Sequence, residues 1–387
     1  MGPLAQQSRM LYQAALLVFL VTIVIGILNG LDVWDPSHEM LITHVHAGTL
    51  GWITMAVIGV LLTMFGPGAS DAEVVSGRSL ARFALGAIVL YVATFAIGTG
   101  VYRPIAGTLL LIVLIWLLVW TTRRYRASDR STGHLAIYLA TISLVIGAVL
   151  GVLFGLFIAN GSLPGLSNDT AAAIAGAHPP AMLIGYLILA GVAVAAWQLN
   201  GANTRLGRIA AWLLFASGII ANLAFILNIE ALIQVFSALE VIGIIIFAIA
   251  IWPQIRPGAG GSAFAKAAVV FLLVGIALLI YVVQLFVSGE LDPEAGTGPI
   301  GVLTAFDHAM FIGVMTNALF AVLSGFVNRG NTDRLLLWAI NLSLVLFLVG
   351  LVTDSAILKQ IATPILGLSL IWAIATAVPA LNRSQAA

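Results

Sequence analysis

Residues 104–121 read PIAGTLLLIVLIWLLVWT and contain no charged side chain, and the basic residues Arg123, Arg124 and Arg126 follow closely. About 20 apolar residues are enough to cross the hydrocarbon core of a bilayer as an α-helix. Lys and Arg residues collect in the cytoplasmic loops of membrane proteins. This stretch therefore predicts a transmembrane helix that ends on the cytoplasmic side.

The composition indicates that the whole chain is of this kind. Of the 387 residues, 61% are hydrophobic and 8% are charged, whereas a soluble domain has about 45–50% apolar and about 25% charged residues. A net charge of +1 provides no basic surface for nucleic acid. The lack of cysteine excludes disulfides, zinc ribbons, iron–sulfur clusters and covalently attached c-type haem. The composition therefore predicts an all-α polytopic membrane protein.

Twelve stretches along the chain are apolar and long enough to cross a bilayer, and the connections between them are short. The predicted spans are 11–31, 40–66, 79–98, 104–121, 134–159, 172–198, 207–228, 230–252, 264–288, 301–327, 334–353 and 356–380. The break between the seventh and eighth spans depends on Asn228 and Glu230, which favour a turn. We expect one transmembrane domain over residues 1–387.

The basic residues predict how the spans are oriented. When twelve spans alternate from a cytoplasmic N-terminus, all of the 16 Lys and Arg residues except Arg103 and Lys359 fall on one side. The loops on the opposite side are acidic. The positive-inside rule therefore predicts that both termini are cytoplasmic and that the acidic loops face outward.

Four of the six histidines lie at a common depth in the predicted spans. His44 and His46 are on the second span, His178 is on the sixth and His308 is on the tenth. Each is about five to seven residues inside the outer end of its span, which is roughly 8–10 Å at 1.5 Å per residue. Ionisable residues within a membrane are costly and usually functional, although hydrogen bonding between helices is an alternative role.

The spacing of these histidines indicates an internal repeat. From His44 to His178 is 134 residues and from His178 to His308 is 130, while one third of the chain is 129. Glycine follows His44 and His178 by seven residues, and follows His46 and His308 by five. We therefore expect three pseudo-symmetric four-helix arcs, built from repeats of roughly 1–130, 131–260 and 261–387.

Histidines in this setting suit haem iron, for which neutral imidazole is a common axial ligand. His44 and His46 point about 200° apart on a helix, so one helix can serve two haems, or a haem and a second metal. His178 and His308 would supply the opposite sides. We predict one or two haem b groups, with axial metal ligands drawn from these four histidines.

Two outer basic residues, Arg103 and Lys359, are candidates for holding the haem propionates, which need cations. Their alternative role is to place a charged head group at a helix end in water while the stem stays apolar. Asp307 precedes His308 and is a candidate for orienting its imidazole. Because adjacent residues on a helix diverge by about 100°, Asp307 is alternatively part of a different site.

Three motifs resemble the haem–copper oxidase superfamily and its relatives. Thr43–Trp52, THVHAGTLGW, resembles the HVHxGxLGW motif of the cbb-type oxidases, where it ligates both haems but lies on the tenth span rather than the second. His178-Pro179-Pro180 resembles an HPE segment whose histidine binds copper. Asp307–Gly313, DHAMFIG, is similar to the late histidine motif of NnrS, a haem- and copper-containing membrane family of about this size.

The resemblance implies twelve spans in three arcs of four, a bacterial or archaeal cytoplasmic membrane, haem, and redox chemistry with nitric oxide or oxygen as the gas ligand. The chain departs from the oxidases in having no histidine pair on its seventh span, 207–228, and Met182 where some oxidases have tyrosine. Copper binding therefore stays an open alternative, because the sequence does not contain a complete copper site. A proton-pumping oxygen reductase is not expected.

Two other interpretations stay open from the sequence. In the first, the chain is a haem-free twelve-span transporter whose polar pathway is lined by Glu240, Asp307 and the histidines, although transporters of this size usually repeat in halves. In the second, the protein needs a partner, such as a basic cytochrome that donates electrons after docking on the acidic outer loops.

Overall fold

The computed structural model describes residues 2–291, 296–327 and 330–383, and within these ranges the protein is built from helices without a β-strand. Twelve helices are long and apolar enough to cross a membrane, which confirms the predicted all-α polytopic class. We label them α1–α12: Ala5–Gly30, His38–Phe65, Asp71–Ile97, Tyr102–Ala127, Thr132–Asn160, Asn168–Gln198, Arg205–Leu227, Glu230–Ile255, Ala263–Val287, Ile300–Ser324, Asn331–Val352 and Ala356–Asn382.

The helices follow the predicted spans and extend beyond several of them. At the predicted cytoplasmic end, α4 continues to Ala127 rather than stopping at residue 121. Arg123 and Arg126 are exposed there and can reach the polar head-group region, whereas Arg124 is buried and pairs with Glu73 at 3.0 Å. The predicted break between the seventh and eighth spans is confirmed. Asn228 ends α7 in the left-handed conformation, with a φ of 50°, which asparagine adopts more readily than most residues.

Three of the twelve helices form the interior of the bundle. In α2, α6 and α10, 83%, 78% and 78% of the apolar stretch is buried, against 28–50% in the other nine helices. A helix that is apolar on all sides and buried is a core helix, whereas the other nine also face lipid. The four histidines of the predicted site all lie on these three inner helices. We call the end at which the inner helices begin the outer end, after the predicted orientation.

Each inner helix contains a π-helical segment at a similar position. The three segments are Ala47–Thr54 in α2, Ala181–Leu187 in α6 and Ala309–Thr316 in α10. π-Helical segments are rare and are frequent at functional sites. Each of the four histidines lies either one residue or three residues before the π-helical segment of its own helix. The π-helical segments therefore provide a common reference for comparing positions on the three helices.

The fifth residue of every π-helical segment is a glycine, namely Gly51, Gly185 and Gly313. A Cβ atom on Gly313 would lie 2.8 Å from the Cβ of Phe271 on α9, and one on Gly51 would meet the side chain of Val18 on α1. These glycines let an outer helix pack closely against the inner helix.

Hydrogen bonds hold the π-helical segments internally and to one another. The hydroxyl groups of Thr54 and Thr316 donate to carbonyl oxygens five residues earlier, each at 2.9 Å. The indole N–H of Trp52 donates to Oγ1 of Thr316 at 3.0 Å, which joins α2 to α10. The division into three arcs, the repeat boundaries and the cytoplasmic position of the termini stay predictions.

We expect Gly313→Ala to lower the midpoint of thermal unfolding in detergent, because the added methyl group overlaps Phe271. Overpacking of this kind costs roughly 1–3 kcal/mol. Gly86→Ala on α3 is the matched control, since a Cβ atom there meets nothing within 4 Å, and alanine favours a helix over glycine. Equal destabilisation by the two substitutions would contradict the close packing at Gly313.

Candidate functional site

All four histidines of the inner helices are held through the same ring nitrogen. Each Nδ1 lies 2.8–2.9 Å from a backbone carbonyl oxygen: His44 bonds to Thr22, His46 to Ile42, His178 to Gly147 and His308 to Thr304. A carbonyl oxygen only accepts, so Nδ1 must carry the proton. In a neutral imidazole Nε2 then keeps its lone pair. No residue within the described ranges forms a hydrogen bond with any of these Nε2 atoms.

His44 and His178 are held by carbonyl groups of the preceding helix, and each imidazole lies against a glycine of that helix. Gly26 is four residues after the carbonyl that accepts from His44, and Gly151 is four residues after the one that accepts from His178. A Cβ atom on Gly26 would lie 3.1 Å from Cε1 of His44, and one on Gly151 would lie 2.8 Å from Cε1 of His178. The two glycines therefore leave room for the rings.

His46 and His308 are held by the carbonyl four residues earlier in their own helix. Both immediately precede a π-helical segment. Aromatic rings of outer helices restrict their imidazoles further. The ring of His46 stacks on Phe95 of α3, with centroids 3.7 Å apart and an interplanar angle of 15°, and the ring of His308 packs edge-on against Phe347 of α11 at 5.2 Å.

The π-helical segments define two equivalent ring positions on each inner helix, three residues and one residue before the segment begins. These positions are occupied by His44 and His46 in α2, by His178 and Pro180 in α6, and by Phe306 and His308 in α10. Only α2 has histidine at both positions. The other two inner helices supply one histidine each.

The structure brings the four predicted ligands together as two pairs. The imidazole of His44 lies near that of His308, and the imidazole of His46 lies near that of His178. Each pair combines one histidine held by a neighbouring helix with one held within its own helix. The two histidines of α2 therefore belong to different pairs.

His46 and His178 both line a cavity of about 980 Å³ in the outer half of the bundle. Ligand sites of small molecules and cofactors have volumes of about 300–1,000 Å³, so this cavity is large. Between the two histidines its wall is mostly apolar and includes Tyr91, Gly107, Leu110, Leu144 and Ala148.

Arg103 is a buried cation near this cavity. Only 7% of the residue is exposed, its guanidinium lies over the ring of Phe95 at 4.9 Å, and Nη2 donates to the carbonyl of Phe95 at 3.2 Å. Its Nε has no hydrogen-bond partner, and no ion pair joins it to a described residue. Gly107, Leu110 and Leu114 continue the same face of α4 and line the cavity. A buried cation without an anion is costly, so this position favours an anionic ligand group.

Lys359 lies in a different environment. Its ammonium group pairs with the carboxylate of Asp354 at 3.1 Å, and 93% of the Asp354 side chain is exposed. Surface ion pairs of this kind contribute little to stability. None of the hydrogen bonds or ion pairs described for Lys359 leads to the histidines, so the structure does not bring it together with Arg103.

Two acidic side chains of the inner region have no hydrogen-bond partner among the described residues. Asp307 lines the cavity and does not hold His308, whose Nδ1 bonds to Thr304 instead, so the orienting role weighed for Asp307 is wrong. Glu240 of α8 is fully buried, and neither carboxylate oxygen forms a hydrogen bond.

The described part of the chain contains no group of three or more His, Asp or Glu residues close enough to hold a metal ion. Protein sites for a bare ion such as zinc use three or four side chains. Each histidine pair offers two nitrogen ligands, which is the number needed when a macrocycle supplies the other four ligands of iron.

Neither a protein-family model nor a curated protein sequence matches this chain. The resemblance to the cbb-type oxidases and to NnrS therefore rests on the three motifs in α2, α6 and α10.

We expect all four inner histidines to be in the tautomer with the proton on Nδ1. The measurement is nitrogen-15 solid-state NMR of haem-free protein labelled in its histidine side chains and embedded in lipid. The two neutral tautomers of histidine, with the proton on Nδ1 or on Nε2, give different pairs of ring nitrogen shifts. Each of four variants should remove one signal pair of the Nδ1–H type: His44→Ala, His46→Ala, His178→Ala and His308→Ala. A protonated Nε2 in any of the four would contradict the described hydrogen bonds.

Proposed function

We propose that this protein is a membrane haem b protein of a bacterial or archaeal cytoplasmic membrane. In this proposal His46 and His178 hold one haem, His44 and His308 hold a second, and the protein transfers electrons near the outer face. The observation that carries the proposal is the presence of two histidine pairs whose Nε2 atoms are unused because each Nδ1 is bound to a carbonyl. Metal-ligating histidines have this arrangement almost always.

The residues around the pairs suit haem in two further respects. The cavity between His46 and His178 is lined mostly by apolar side chains, as a flat macrocycle requires. The buried guanidinium of Arg103 forms no ion pair with a described residue, although the carboxylate of Glu39 is close enough to interact with its charge. This leaves the guanidinium available to a propionate. Bound haem supplies reversible one-electron chemistry between ferric and ferrous iron.

The protein's own part is to fix the imidazoles of His46 and His178, and those of His44 and His308, which would hold the two haems. If both histidines of a pair bound the iron, the haem would serve electron transfer rather than gas binding. If one histidine of a pair stays unligated, the open position would bind nitric oxide or oxygen, as the resemblance to NnrS implies. A basic cytochrome docked on exposed outer acids such as Asp35 and Asp169 is a suitable electron partner.

The optical spectrum of the purified protein tests this proposal. We expect sharp bands on reduction with dithionite, two haems per chain by the pyridine adduct, and no change with carbon monoxide. His178→Ala and His308→Ala should each open one iron, so that carbon monoxide then shifts the spectrum of about half of the haem. His38→Ala is the control, because His38 is exposed at the start of α2. A colourless protein after expression with ample haem would contradict the proposal.

We expect Arg103→Gln to lower the reduction potential of one haem, on the order of tens of millivolts, because removing a buried positive charge disfavours the added electron. Lys359→Gln is the matched control. The Lys359 charge is paired with Asp354 at the surface, so its loss should leave both potentials nearly unchanged. Redox titration followed optically measures both variants. Equal shifts in the two, or none in Arg103→Gln, would contradict the role given to Arg103.

A second candidate function is the haem-free transporter, which is favoured by Glu240. A fully buried carboxyl group without a hydrogen bond is costly in a membrane and often marks an ion or proton pathway. Glu240 is not among the residues that line the cavity with Asp307, His46 and His178, so the proposed pathway would have to join two separate places. The spectrum separates the two candidates, because only the haem protein is coloured.

A further inference from the structure

The cavity continues beyond the pair of His46 and His178 into the space between α6 and α10. There, residues of α7, α8, α9 and α10 form its wall: Phe225, Ile233, Phe236, Phe286, Leu303 and Phe311. We call this part of the cavity the α6–α10 compartment. Four of these six wall residues are phenylalanines.

None of the described residues named for the α6–α10 compartment is a histidine. At the two ring positions defined by the π-helices, the side chains that face this interface are Pro180 and Phe306, and both line the cavity. At the other two interfaces between inner helices, both of the corresponding positions are occupied by histidine. A molecule held in this compartment must therefore be bound by apolar contact and hydrogen bonds.

Among the described residues that line the cavity, Asp307 is the only Asp, Glu, Lys or Arg. It is partly exposed to the cavity space and forms no hydrogen bond with a described residue. A carboxyl group can accept a hydrogen bond from a ligand when water is scarce. A carboxyl acceptor on a wall that is otherwise mostly apolar and aromatic favours a flat, apolar ligand with a hydroxyl donor.

We propose that the α6–α10 compartment binds a lipid-soluble hydroquinone. Its ring would pack among the phenylalanines, which prefer offset or edge-on contacts with aromatic ligands, and a phenolic hydroxyl would donate to the carboxylate of Asp307. Phe286 lines the cavity and is 41% exposed near the outer end of α9, a helix that faces lipid, so a hydrophobic tail can extend outward there. This compartment belongs to the same cavity that His46 and His178 line, and the proposal concerns binding alone.

The test is binding of a decyl-substituted hydroquinone, kept reduced under argon, to the full-length protein in lipid nanodiscs by isothermal titration calorimetry. Asp307→Leu should weaken binding about tenfold or more, because the hydrogen bond between the ligand hydroxyl and the carboxyl group is lost. Asp35→Leu is the control, since Asp35 is exposed and lies outside the cavity. The analogue with both hydroxyl groups methylated should bind as weakly to the wild type as the hydroquinone does to Asp307→Leu.

If Asp307→Leu does not fold, a second variant can test the same proposal. Leu303→Trp fills the compartment without changing its charge and should also abolish binding, whereas Leu342→Trp on the lipid-facing side of α11, where Leu342 is 61% exposed, should not. Unchanged affinity in Leu303→Trp, or no binding by the wild type, would overturn the proposal.

Measuring both haem-loaded and haem-free protein separates this proposal from the proposed function. Hydroquinone binding that Leu303→Trp removes, in a protein that never acquires haem, would support this site and reject the haem function. Haem incorporation without hydroquinone binding would reject this site alone.

Discussion

The hydrogen bond between each inner histidine and a backbone carbonyl is the interaction on which the candidate site depends. Within a membrane the N–H of an imidazole has no water to bind, and an unsatisfied polar group is costly. The carbonyl oxygen satisfies that N–H and at the same time fixes which ring nitrogen keeps its lone pair. Stability and ligand chemistry are therefore determined by one contact, repeated at His44, His46, His178 and His308.

The π-helical segments and the glycines explain how that contact is accommodated. A π-helical turn contains more residues than an α-helical turn, so it changes the direction of the side chains that precede it relative to those that follow. In α2 this change separates the histidines from the closely packed part around Gly51. On the outer helices, Gly26 and Gly151 provide the room in which the imidazoles of His44 and His178 lie.

Much of the fold was predictable because hydrophobicity in a membrane is a local property. The twelve spans, the turn at Asn228 and the inner histidines follow from the sequence alone. The partners of those histidines do not, since Gly26 and Gly151 look like ordinary helix glycines until α1 and α5 are packed. The sequence alone also did not decide the environment of Arg103. An arginine near the end of a span is compatible both with burial against Phe95, which the structure shows, and with a position in the lipid head-group region.

The difference between the three inner helices is as informative as their similarity. Three helices at the centre of a bundle form three interfaces, and the positions before the π-helices give each interface the same two places for a ligand. Histidine fills both places at two interfaces, whereas Pro180 and Phe306 occupy them at the third. The third interface thus keeps the cavity and the carboxyl group of Asp307 but has no histidine at these places. The interfaces therefore differ in the chemistry that they offer to a ligand by two side chains and not by a change of fold.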